Sequence, residues 1–80
     1  MKNSIDAVKD LTLMLLYLTS WEEKGIDDPR SWKTYNFGIL DNLMEEGLIY
    51  GSHRSKSAYI ENSGVLQAKA LLTEYGIKIE

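Results

Sequence analysis

The residues of this sequence best suited to chemistry are cations. Arg54 and Lys56 stand in the polar stretch Gly51-Ser52-His53-Arg54-Ser55-Lys56. No acid occurs from Gly51 to Ser57, so the segment carries a local charge of +2, to which His53 can add. Cations gathered in this way neutralise phosphates, the sequence-independent source of nucleic-acid affinity. Lys33 and Arg30 lie upstream as further phosphate candidates. Asn36 and Asn42 carry amides of the kind that pair with adenine edges.

Other chemistries find little support. There are no cysteines, which excludes disulfides, thiolate metal sites and cysteine nucleophiles. A single histidine cannot build the usual zinc site, so neither a metal nor a cofactor is expected. Glu22-Glu23, Asp27-Asp28 and Glu45-Glu46 are acidic doublets. Neighbours on a helix point about 100° apart, so such doublets do not converge on one substrate. The six glycines are scattered as helix stops and turns rather than gathered into a phosphate-cradling loop. No catalytic set emerges, and the expectation is a protein that is not an enzyme.

These residues need elements to position them. Ile5, Val8, Leu11, Leu15, Leu18 and Thr19 recur at three and four residues, the spacing of one helix face. Asn3 or Ser4 is the expected cap, and Gly25 the expected stop. Leu13, Met14, Leu16 and Tyr17 fill the remaining faces. A helix apolar all round is either central or covered by another chain. Asp28-Pro29 reads as the opening of a short second helix over 30–33, with Trp32 pointing inward. Asn36 caps a third helix with the stripe Phe37, Leu40, Leu43 and Met44, and Tyr35 before the cap can pack on Leu40. Gly47 ends this helix, with Leu48 closing back on Leu43. Leu48-Ile49-Tyr50 and Ser57-Ala58-Tyr59-Ile60 are strand candidates joined as a hairpin. Val65, Leu66, Ala68, Leu71, Leu72 and Tyr75 mark a last helix stopped by Gly76.

The order helix, helix, helix, hairpin, helix resembles the winged helix-turn-helix fold, mainly α with a small β-hairpin, in one domain over 1–80. More narrowly, the chain resembles a family of small uncharacterised bacterial proteins, a domain of unknown function. The matching stretches are Leu15-Leu16-Tyr17-Leu18-Thr19, Ser31-Trp32-Lys33, Leu40-Asp41-Asn42-Leu43 with Gly47-Leu48-Ile49, and Lys56-Ser57. Glu61 stands where such families carry Thr or Ser before the last helix, and Asn62 or Ser63 is the expected cap. The resemblance implies duplex DNA binding in a regulatory role. The third helix would enter the major groove and the hairpin tip would track the backbone. Lys33, Asn36, Asn42, His53, Arg54 and Lys56 would make the contacts. It also implies a homodimer, for which Leu13, Leu16 and Tyr17 are the candidate interface.

Composition bounds these readings. Eighty residues with 44% hydrophobic and 26% charged residues suit one small globular domain with a thin core. Nine Lys and Arg against 12 Asp and Glu give a net charge of −3. The third helix is locally −3, with Asp41, Glu45 and Glu46 and no Lys or Arg from Asn36 to Gly47. Carboxylates facing a groove work against phosphate attraction. The alternative is therefore a non-catalytic protein-interaction or dimerisation module that has lost DNA binding. The longest apolar run, Leu13 to Leu18, is far short of the ~20 residues of a membrane span. With no signal pattern, a cytoplasmic location is expected.

Overall fold

The computed structural model describes residues 3–78. Its elements in chain order are α1 (Ser4–Leu18), β1 (Arg30–Trp32), α2 (Phe37–Glu45), β2 (Ile49–Tyr50), β3 (Ser57–Ile60) and α3 (Asn62–Glu74). Three helices thus accompany a small antiparallel sheet of order β1-β3-β2.

The hairpin forms as expected, with Ile49 opposite Ile60 and Tyr50 opposite Tyr59. The second helix does not. Arg30–Trp32 is a strand that pairs with the far side of β3, setting Arg30 opposite Tyr59 and Trp32 opposite Ser57. Asp-Pro is as good a turn opener as a helix cap. A segment of three residues is decided by its long-range partner rather than by its own propensity. With a strand before α2, two helices do not meet across residues 34–36. Trp32 follows the alternation of a strand. Ser31 is buried at 1% exposure and Trp32 points outward at 56%.

The first helix also departs from expectation. It stops at Leu18, where Thr19 N–H bonds the Leu15 carbonyl and Ser20 Oγ bonds that of Tyr17 at 2.6 Å. Gly25 instead sits in a turn within the following loop. Trp21 and Arg30 exchange both backbone bonds, tying that loop to β1. The stripe of Ile5, Val8, Leu11, Leu15 and Leu18 does lie on one face, and that face is exposed. Leu13 and Leu16 are buried and Tyr17 packs against the core. Leu13 and Leu16 therefore lie in the interior of the chain and offer no surface to a second copy, while Tyr17 is half-buried.

The core joins Leu13 and Leu16 to Leu40 and Leu43 of α2, to Ile49 and Ile60 of the hairpin, and to Ala68 and Leu72 of α3. Fully burying a side chain of this size contributes about 1.5–3 kcal/mol. Asn3 Oδ1 accepts the Asp6 amide and Asn36 Oδ1 accepts the Ile39 amide, so both helices are capped by their expected side chains. The α2 ending also forms as expected, with Gly47 at φ 73° and Leu48 N–H on the Leu43 carbonyl at 3.0 Å. At α3 the cap position is Glu61, whose side chain makes no capping bond. Ser63 Oγ donates instead to the Gly47 carbonyl at 2.7 Å, fastening α3 to the end of α2. Lys9 pairs with Glu46, tying α1 to α2. Among the described residues, no helix is long and apolar enough to cross a membrane.

Candidate functional site

The pairing of β1 with β3 builds the site. Lys33 N–H continues the ladder to the Lys56 carbonyl at 2.8 Å, so the segment leading into α2 runs beside the hairpin tip. Lys33 Nζ reaches across to donate to the Ser52 carbonyl at 2.7 Å. Inside the tip, Ser55 N–H bonds the Ser52 carbonyl and Arg54 N–H bonds Ser52 Oγ. These bonds give a polar loop a defined shape.

A cleft of about 400 Å³ opens between the tip and the start of α2. Its basic lining is Lys33, His53, Arg54 and Lys56, and its aromatic lining is Trp32 and Phe37. Thr34 and Ser55 complete it, and no carboxylate contributes. Neither the Arg54 guanidinium nor the Lys56 ammonium has a hydrogen-bond or ion-pair partner among the described residues. Both charges are free to meet an anion. Phe37 is 73% exposed. As the first residue of α2, it also brings the positive end of the helix dipole to the cleft.

Trp32 is held rather than loose. Its ring lies 5.1 Å from that of Trp21, tilted by 45°, and Trp21 is bonded through its backbone to Arg30. Arg30 is committed elsewhere. It donates to Glu23 at 2.8 Å and to Ser57 Oγ at 2.6 Å, and lies 5.1 Å from the Tyr59 ring centroid. It braces the sheet and does not reach the cleft.

Four of the six expected contact residues therefore come together: Lys33, His53, Arg54 and Lys56. Asn36 and Asn42 do not join them. The Asn36 side chain is spent on its cap, and Asn42 is half-buried on α2 outside the cleft lining. His53 also borders a second hollow with Asp41, Met44 and Glu45, so the acidic face of α2 adjoins the basic cleft without entering it. Trp32 and Phe37 are the contributors that sequence reasoning placed in the core. The signal for them was an aromatic on each side of the polar-centred run 33–36, close to a basic stretch. Among the described residues, no group of three or more His, Asp or Glu is placed to hold a metal.

On the same face of the sheet, beyond Arg30, Tyr50 stacks on Tyr59 at 5.3 Å and donates to Asp28 Oδ2 at 2.7 Å. The bond to Asp28, followed by desolvation, pushes the Tyr50 phenol up to about 12. A phenol titrates near 10 in an unfolded chain. The folded state therefore holds this proton more tightly, and the resulting stabilisation is complete below pH 10 and lost as pH rises toward 12. In a spectroscopic titration of the five tyrosines, one is expected to ionise last, near pH 12. Asp28→Ala should return it toward 10, and an unchanged titration in that variant would refute the assignment.

No curated protein and no solved structure matches the chain. A family model described as a domain of unknown function, DUF6429, matches residues 4–78, and the chain belongs to that family.

Proposed function

We propose that the protein binds single-stranded nucleic acid in the cleft between the hairpin tip and α2. The observation that carries this reading is the pair of exposed aromatics, Trp32 and Phe37, set among Lys33, Arg54 and Lys56 with no carboxylate in the lining. Proteins that hold unpaired strands combine these parts: cations track the phosphates, and aromatic faces stack on bases. A duplex could use the cations but would leave the aromatics without a role. The acidic α2 is also ill suited to a major groove, since Asp41, Glu45 and Glu46 would face phosphates.

The order β1-α2-β2-β3 is similar to part of a winged helix in which a strand takes the place of the helix before the recognition helix. In that comparison the Arg54 loop is the wing. The proposed role keeps the wing as a phosphate contact and moves base recognition from α2 to the cleft.

Each stacked base is worth about 1–3 kcal/mol, so Trp32→Ala and Phe37→Ala should each weaken binding of a labelled oligothymidylate roughly tenfold. Both side chains are exposed, so neither substitution should unfold the protein. Fluorescence anisotropy at low salt measures the effect, and binding should quench the Trp32 emission. Equal affinity in wild type and both variants would defeat the stacking role. Tighter binding to a duplex of the same length would return the site to a backbone-tracking wing.

A further inference from the structure

We infer that the exposed face of α1 is the interface of a homodimer in which two copies of this helix pack antiparallel about a two-fold axis. The surface is an uninterrupted apolar stripe, Ile5, Val8, Leu11, Leu15 and Leu18, with every member between 45% and 63% exposed. It runs the full length of the helix, about 20 Å at 1.5 Å per residue. Patches of this kind are rarely left bare on a monomer.

Two observations select a second copy of this chain as the occupant. The first is spacing. Reversing the helix about the point between Leu11 and Thr12 carries position 5 onto 18 and 8 onto 15, and sets the Leu11 of each copy beside the axis. The stripe is thus self-complementary, as an isologous interface requires. The second is charge. No ionisable residue interrupts the stripe, so it offers nothing to a charged partner, while antiparallel pairing sets the positive end of each helix dipole beside a negative end.

The test is the mass of the intact protein in sedimentation equilibrium across a concentration series. The wild type should shift from monomer to dimer, and Leu11→Glu should remain a monomer throughout with an unchanged far-ultraviolet circular dichroism spectrum. Because the chain has no cysteine, geometry can be read by crosslinking. Leu11→Cys, beside the axis, should form a disulfide-linked dimer under mild oxidation. Ile5→Cys, which faces Leu18 of the other copy, should not link to itself. A wild type that is monomeric at every concentration overturns the proposal. So does a dimer that survives Leu11→Glu, or self-linking of Ile5→Cys as efficient as that of Leu11→Cys. The interface does not use the cleft, so this outcome is independent of nucleic-acid binding.

Discussion

Gly64→Ala is expected to destabilise the protein by about 3 kcal/mol, the upper part of the usual range for inserting a carbon into a packed site. Alanine normally favours a helix over glycine by about 1 kcal/mol, so the expected sign is opposite to that of propensity. The reason is a close approach of backbones. A Cβ on Gly64 would lie 2.1 Å from the Leu48 carbonyl oxygen and 2.9 Å from Ile60 Cγ2. The first neighbour is main chain and has no rotamer to escape into. It also accepts the Glu61 amide at 2.9 Å, the bond that starts α3 against the hairpin. Relief would require α3 to shift away, which strains that bond and the one from Ser63 to Gly47. At about 4–8 °C per kcal/mol for a domain of this size, the melting temperature should fall by roughly 12 °C or more. Thermal unfolding followed by circular dichroism decides it, and an unchanged or raised melting temperature would show that α3 is not seated as described.

The second large effect concerns binding. Arg54→Glu combined with Lys56→Glu should reduce affinity for an oligothymidylate by at least about a hundredfold at low salt. Arg54 and Lys56 have no side-chain partner among the described residues, so the change sacrifices no structural contact. It replaces two cations with two anions in a lining that otherwise keeps only Lys33 as a fixed charge. Single-stranded binding follows salt with a slope of about −0.7 per phosphate neutralised. The double variant should therefore lose most of its salt dependence along with its affinity. Loss of affinity without any change in that dependence would mean that the loop acts through shape and not through charge.

Local chemistry made some of this architecture legible and left the rest hidden. The third sequence element was readable because Asn36, an apolar stripe and Gly47-Leu48 are complete start and stop signals within one segment, and α2 uses the cap, the stop and Leu40 and Leu43 of the stripe. The hairpin was readable because branched and aromatic residues flank a polar tip. The first helix was recognised, but its orientation was not. Leu13 and Leu16 are as apolar as Leu11 and Leu15, so periodicity could not say which stripe the other elements would cover. The segment Arg30-Ser31-Trp32 failed for a different reason. Its structure comes from pairing with Ser57–Tyr59, almost thirty residues away along the chain, and nothing local announces that contact. The consequence reached the site. Read as helical, Trp32 points into the core; read as a strand, it points into the cleft. The cations were legible as a cluster, whereas the aromatic half of the site was not, because exposure of Trp32 and Phe37 depends on where the sheet edge and the start of α2 fall.

The most direct test of the central claim is the salt dependence of oligothymidylate binding by the wild-type protein. With Lys33, Arg54 and Lys56 on the phosphates, log K against log salt concentration should be linear with a slope of about −2, accompanied by quenching of tryptophan emission. Absence of binding at low salt, or binding whose affinity does not respond to salt, would contradict the account.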